Sequence, residues 1–229
     1  MRKKKHGAER ILACAALFYN TDRDISFLQP PLRLEIGCGK GGFICEAARR
    51  EPDVHFIAVE KITDVILLAM ERAQRENLTN LRFLNCDAAK LTDILPPHCL
   101  ERIYLNFSDP WPKKGYYKRR LTYRGFLDIY RELLCDNGAI HMKTDNPALF
   151  DFSLNELSEN GFLLQNVTRD LHNSEWENDN IHTEYESLFA AQGIKINRLE
   201  AVLPSSTGPA APISDAIPEN QAAIPEKDT

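Results

Sequence analysis

Five acidic residues, Glu35, Glu60, Asp87, Asp109 and Asp145, each fall at or just beyond the end of an apolar run. A carboxylate in such a place can accept from ribose hydroxyls, or stabilise positive charge that develops in a bound molecule. A single strand-end acid is most simply a helix cap or turn residue. Five converging on one rim suggest a ligand. A second constellation follows Asp109. The run Asn106-Phe107-Ser108-Asp109-Pro110-Trp111-Pro112-Lys113-Lys114-Gly115-Tyr116-Tyr117-Lys118-Arg119-Arg120-Leu121 mixes basic and aromatic side chains and is stiffened by prolines. Basic groups neutralise phosphates, and aromatic rings stack on bases. A charge run is usually a solvated loop, but this one sits on the acidic rim of a protein with formal net charge −5.

A third constellation is the stretch Leu34-Glu35-Ile36-Gly37-Cys38-Gly39-Lys40-Gly41-Gly42-Phe43. It reads as strand, tight loop and helix start. Glycines there permit positive φ and close approach to a ligand, and the helix N-terminus favours a polar or anionic group. Gly37, Gly39 and Gly42 fit the dinucleotide fingerprint G-x-G-x-x-G. Glu35 with Gly37, Gly39 and Gly41 equally fits acidic-x-G-x-G-x-G. Glu60 lies about twenty residues on, where a carboxylate can accept from both ribose hydroxyls of a nucleoside.

The elements that must position these residues follow from periodicity. The pattern predicts strands over 32–36, 54–60, 81–86, 100–107, 139–143, 162–167 and 185–191. It predicts helices over 11–18, 42–50, 62–77, 122–134 and 147–160, with Asn137-Gly138 closing the fourth. Strands alternating with helices imply a mostly parallel sheet with right-handed crossovers, and ligands in such sheets sit beyond the carboxyl ends of the strands. Residues 1–10 read as a basic, mobile arm, and the Pro- and Ala-rich stretch 204–229 as a disordered tail.

At 229 residues, 43% of them hydrophobic, the chain suits one globular domain, and no apolar run approaches a membrane span. The basic start and apolar 11–18 stretch mimic a signal peptide, but Glu9 and Arg10 abut the apolar segment. Cys14, Cys38, Cys45, Cys86, Cys99 and Cys135 form no C-x-x-C pair, and the histidines are scattered. These features predict reduced thiols, a cytoplasmic location and no metal site.

The motifs together resemble one family. Asp109-Pro110-Trp111-Pro112-Lys113-Lys114, followed by Lys118-Arg119-Arg120-Leu121, is similar to the signature of the bacterial tRNA (guanine-N7)-methyltransferases. Glu35-Ile36-Gly37-Cys38-Gly39-Lys40-Gly41, Val59-Glu60-Lys61, Lys143-Thr144-Asp145 and Thr183-Glu184-Tyr185-Glu186 extend the similarity over roughly 32–191. The resemblance implies an α/β, Rossmann-like class I methyltransferase fold with a seven-stranded sheet and helices on both faces. It implies methyl transfer from S-adenosylmethionine to N7 of guanosine 46 in the variable loop of tRNA. The order of elements and the composition change at Pro204 put the methyltransferase domain at 30–203, after an arm and short helix at 1–29, and leave monomer and homodimer open. By the resemblance, Glu35, Gly37, Gly39, Glu60, Asp87 and Asp109 bind the cofactor, with Asp109 also catalytic. Lys113, Asp145, Thr183, Glu184, Tyr185 and Glu186 would contact substrate, and Gly115, Tyr116, Tyr117, Lys118, Arg119 and Arg120 RNA. Family members often carry Arg-His-His in place of Gly115-Tyr116-Tyr117, so this loop holds less positive charge.

Three other readings compete. Ser108-Asp109-Pro110-Trp111 is loosely similar to the D-P-P-Y motif of exocyclic-amine methyltransferases, although Pro112 comes one place too late. A nicotinamide dehydrogenase would use the same glycine loop, but has no particular use for Glu35 and lacks an evident proton donor. A non-catalytic RNA-binding protein would bind RNA without cofactor.

Overall fold

The computed structural model describes residues 7–29, 31–190 and 192–205. Seven strands form one sheet in the order β3-β2-β1-β4-β5-β7-β6. They are β1 (Leu32–Ile36), β2 (His55–Val59), β3 (Leu81–Leu84), β4 (Leu100–Asn106), β5 (Leu134–Thr144), β6 (Leu163–Thr168) and β7 (Asn197–Val202). Strands β1 to β5 are parallel, and β7 runs antiparallel between β5 and β6. The helices are α1 (Gly7–Ala13), α2 (Gly42–Arg50), α3 (Thr63–Arg75), α4 (Arg124–Leu133), α5 (Pro147–Glu159) and α6 (Glu184–Ala190).

The sheet is covered on both faces, so its central strands are buried along their whole length. On one face Leu32, Leu34, Ile57, Ile103, Leu105 and Met142 meet Leu127, Tyr130 and Leu133 of α4 and Phe150 and Leu157 of α5. On the other, Phe56, Ala58 and Phe83 meet Ile44 and Cys45 of α2 and Ile66, Met70 and Ala73 of α3. Each fully buried large side chain contributes about 1.5–3 kcal/mol. Alternation along β1 sends Arg33 and Glu35 to the second face. Arg33 is held there by Glu51 at 2.7 Å and Glu101 at 3.0 Å. Among the described residues Glu35 has no hydrogen-bonded cation of this kind, which matters below.

Three expectations need correction. The run 185–191 is not a strand. Thr183 and Glu186 form a capping box that starts α6: the Glu186 N–H donates to Thr183 Oγ1 at 3.0 Å, and the Thr183 N–H to Glu186 Oε2 at 3.3 Å. The final strand is β7, whose burial alternates cleanly from Asn197 to Val202. Second, the fourth helix stops at Leu133, and Asn137-Gly138 lies inside β5. The β4 pairing jumps there, from Leu100 opposite Leu134 to Arg102 opposite Ala139. A Cβ on Gly138 would come within 2.9 Å of the Cys135 carbonyl oxygen, so only glycine fits this irregularity. Third, Gly7 to Arg10 belong to α1 rather than to a mobile arm. Arg10 pairs with Glu71 of α3 at 2.6 Å, and residues 14–18 continue as a turn rather than as regular helix. The expectations for 1–6 and 206–229 lie outside the described residues.

Candidate active site

Chain order reverses between β1 and β4. From β1 the sheet grows outward to β2 and β3 on one side, and from β4 to β5 on the other. A crevice opens beyond the carboxyl ends at such a switch point. The glycine loop lines it. Gly37, Gly39 and Gly41 have φ of 78°, 57° and 80°, values that L side chains adopt at a cost. A Cβ on Gly37 or Gly39 would meet nothing within 4 Å, so both present bare backbone to open space. Gly41 serves packing instead: a Cβ there would sit 2.8 Å from Ala69 Cβ and push α3 away. The third glycine of the dinucleotide pattern, Gly42, simply opens α2.

Glu35, the last residue but one of β1, has 2% of its surface exposed. Its Oε1 accepts from Asn106 Nδ2 at 2.9 Å, whereas its buried Oε2 has no hydrogen-bond partner among the described residues. Burial raises its carboxyl pKa to about 7, although the Asn106 hydrogen bond and the Lys143 charge pull the other way. A buried carboxylate oxygen without a donor is costly, so the site calls for a donor or positive charge from outside the chain.

Glu60 follows β2 and is half-buried. One oxygen accepts from the Ile62 N–H at 2.9 Å and braces the entry to α3. Asp87 follows β3 and is exposed; its side chain accepts from the Ala89 N–H at 3.0 Å and caps the turn 88–93. Helix capping is therefore part of what Asp87 does. Asp109 follows β4 and is exposed. The loop that carries it is bent at two bulky residues with positive φ, Phe107 at 52° and Trp111 at 41°. Such conformations cost on the order of 1–3 kcal/mol each and gather at functional sites.

Arg120 holds the bend. Its guanidinium donates to the Pro110 carbonyl at 2.9 Å and the Trp111 carbonyl at 3.3 Å, over the ring of Phe152 at 4.4 Å. Arg119 lies over the rings of Trp111 and Tyr116 at 4.8 and 4.9 Å. Lys113, Gly115, Tyr116, Tyr117 and Lys118 are exposed on the same stretch. The run is thus a shaped surface, with Arg120 turned inward as its clamp.

Asp145 follows β5 and is half-buried. Beside it lies a group that sequence reasoning quoted in a motif but gave no role, Lys143. Its ammonium donates to Asn180 Oδ1 at 2.9 Å, the Ile181 carbonyl at 2.8 Å and Glu186 Oε2 at 2.7 Å. Glu186 is fully buried. Burial alone would raise its pKa, but the Lys143 charge and hydrogen bonds outweigh that and hold it below the ordinary carboxylate range. This pair fastens the 180–186 segment to the end of β5. Tyr185, 63% exposed, is the outward member of the motif. Phe189 of α6 approaches Phe107 at 6.0 Å, which links α6 to the Asp109 loop.

Residues 29–199 match the family described as "Putative methyltransferase". The tRNA (guanine-N(7)-)-methyltransferase of Brevibacillus brevis is 51% identical over 171 residues, covering 75% of this chain and 80% of that protein. That of Clostridioides difficile is 45% identical over 208 residues, covering 87% and 97%. The chain belongs to the bacterial tRNA (guanine-N7)-methyltransferase family. Solved structures agree on the fold. A structure described as an antibiotic-related methyltransferase superposes with a TM-score of 0.62 at 15% identity, covering 81% of this chain and 94% of that one. The 16S rRNA methyltransferase KamB gives 0.62 at 13% identity, covering 82% and 94%. The family assignment removes the dehydrogenase reading.

The crevice of this methyltransferase fits S-adenosylmethionine, the methyl donor of the class. The orphaned Glu35 Oε2 suits the cationic methionine end, and the open backbone at Gly37 and Gly39 admits a ligand closely. A pyrophosphate would instead meet Glu35 with like charge. A test follows from the Glu35 pKa of about 7. Below that pH the carboxyl is protonated and lacks the charge a cationic ligand needs. Cofactor affinity is expected to rise with pH by up to about tenfold per unit and level off above pH ~7. Glu35→Gln should abolish this dependence. A wild-type profile flat from pH 5.5 to 8 by calorimetry would remove Glu35 from the cofactor site.

Proposed function

We propose that the protein transfers a methyl group from S-adenosylmethionine to N7 of a guanosine in tRNA, at position 46 of the variable loop, and releases S-adenosylhomocysteine. The observation that carries this reading is the buried Glu35 oxygen, unpartnered among the described residues, in the strand that runs into the open glycine loop, with the bent Asp109 loop following the neighbouring strand β4. Bound there, S-adenosylmethionine supplies an electrophilic methyl group on a sulfonium.

In this scheme Glu35 meets the methionine end, Gly37 and Gly39 give the cofactor room, and Glu60 accepts from its ribose hydroxyls. Asp87 accepts from the adenine amine, beside its capping bond. Guanine N7 carries an in-plane lone pair and needs no proton removed. The chain's tasks are alignment, which supplies up to about 7–11 kcal/mol in the best cases, and a negative environment for the charge moving onto the base. Asp109 performs the second. It accepts from the guanine N1–H and amino group and stabilises the cationic product. Lys113, Asp145, Thr183, Glu184, Tyr185 and Glu186 form the substrate side, Glu186 by holding the segment in place. The transfer itself calls on no metal. Gly115, Tyr116, Tyr117, Lys118, Arg119 and Arg120 form the RNA-contacting stretch, with Arg120 shaping it. The catalytic domain spans 30–203 and works in the cytoplasm, as a monomer or homodimer.

If Lys113 and Lys118 meet phosphates, changing either to Ala lowers the salt slope of tRNA binding by about one unit or less, and leaves cofactor affinity alone. Filter binding over a salt series reads this. Slopes equal to wild type in both variants would make the loop an ordinary solvated surface. The choice of atom is tested with tRNA carrying 7-deazaguanosine at the target position. That tRNA should bind through its phosphates but accept no methyl group. Normal methylation of it would show another acceptor atom, such as the exocyclic amine, where a proton must leave.

A further inference from the structure

The segment from 171 to 186 gathers two imidazoles and two carboxylates. The His172 and His182 rings stack with centroids 5.2 Å apart and planes 24° from parallel. His172 Nε2 lies 3.2 Å from Glu186 Oε1, and His182 Nε2 lies 2.7 Å from Glu177 Oε1. One ligating atom from each of these four side chains lies within 4.8 Å of all the others. We propose that His172, Glu177, His182 and Glu186 bind a divalent ion of the zinc class, which staples this segment closed.

The donor set selects the ion. Two imidazole nitrogens with two carboxylate oxygens suit zinc, whereas magnesium and calcium take oxygen donors almost exclusively. Zinc bonds of about 2.0–2.2 Å set tetrahedral edges of about 3.3–3.6 Å. The His172–Glu186 contact, at 3.2 Å, is already near that length, and the His182–Glu177 contact, at 2.7 Å, must open by roughly 0.6 Å. The widest separation, 4.8 Å, must contract by roughly 1 Å on binding. The ion takes the place of the hydrogen bond that joins each ring at Nε2 to its carboxylate.

The surroundings favour the same reading. Lys143 takes Glu186 Oε2, which leaves Oε1 facing His172. Asn180 Nδ2 bridges the two carboxylates, at 3.0 Å to Glu177 Oε2 and 2.6 Å to Glu186 Oε1, and so sets their spacing. Two carboxylates against one ammonium leave the cluster with net negative charge. The four residues come from separate short pieces: the turn 171–173, the turn 175–177, the link to α6, and α6 itself. Each piece is too short to be rigid alone, and an ion bridging them would lock the segment that Lys143 fastens to β5. The expectation of no metal rested on cysteine spacing and on histidines scattered in sequence, two of which the fold brings together.

The full-length protein, stripped with a chelator, is titrated with zinc against a chromophoric competitor, and separately with magnesium. One equivalent of zinc at micromolar affinity or tighter is expected, with no competition from millimolar magnesium. The His182 side chain is 42% exposed, so His182→Ala should fold normally and lower zinc affinity by at least about tenfold. Zinc should raise the Tm of the wild type but not that of His182→Ala. Changing the partly exposed Cys86 and Cys135 to Ser should leave the equivalent of zinc in place. Absence of stoichiometric binding would overturn the proposal. So would affinity unchanged in both His172→Ala and His182→Ala, or loss of zinc from the cysteine variant. All readouts concern the metal, so they stand apart from the methyl-transfer reading.

Discussion

Asp109→Asn is expected to lower kcat by about 10²–10³-fold, the usual loss when one group aimed at transition-state charge is removed. Asparagine keeps the shape and one acceptor oxygen, so the affinities for cofactor and tRNA should change by no more than about threefold. The physical basis is that guanine is neutral before transfer and cationic after it. A carboxylate beside it therefore contributes more as the reaction proceeds, which is the condition for raising kcat rather than lowering KM. The strained backbone at Phe107 and Trp111 and the Arg120 clamp fix the bend of the loop that carries Asp109 beyond the end of β4. Single-turnover kinetics with saturating tRNA separates the two effects. A variant that turns over within threefold of wild type would reduce Asp109 to a positioning residue.

Lys143→Met is expected to cost about 3–5 kcal/mol of folding stability, because it leaves the fully buried Glu186 carboxylate without its ammonium. The sign of the pH dependence distinguishes this cause from lost packing. In the wild type Lys143 holds the Glu186 pKa below its unfolded value, so the pair's contribution is present above that value and is lost as pH falls. In the variant burial acts unopposed by the ammonium and raises the Glu186 pKa. Protonation then relieves the buried charge, and the deficit should shrink as pH falls from 8 to 5. Adding Glu186→Gln should restore part of the loss, since Gln can also serve in a capping box. Denaturant unfolding at several pH values tests this. A deficit below about 1 kcal/mol, or one that grows in acid, would mean the pair does not anchor the segment.

Much of this was legible in the residues because local and global signals agree. At α2 the apolar pattern and the flanking Gly41 and Pro52 define the same span, and the predicted helix 42–50 is the observed one. The strand-end acids were legible because a parallel sheet places every carboxyl end on one rim. The run 185–191, expected as a strand, falls in α6 as far as Ala190, because a short apolar run is ambiguous in period. Tyr185, Leu188 and Phe189 favour a strand, but the box formed by Thr183 and Glu186 fixes a helix start, and that four-residue signature was available. Alternation at 197–202 would then have supplied β7. Likewise Asn137-Gly138 has the residue types of a helix stop, but β5 tolerates it through an irregular pairing with β4. What no sequence pattern carried was the orphaned Glu35 oxygen, the inward turn of Arg120 and the His172–His182 stack. Glu35 depends on a strand distant in sequence, and the other two on how irregular loops fold back on themselves, which neither period nor spacing encodes.

The central claim is tested most directly by incubating the protein with radiolabelled S-adenosylmethionine and bulk tRNA that lacks modifications, then digesting the tRNA and separating its nucleosides. The label should appear in 7-methylguanosine alone, and mapping should place it in the variable loop. Label in any other nucleoside, or tRNA that binds and stays unlabelled, would contradict the account.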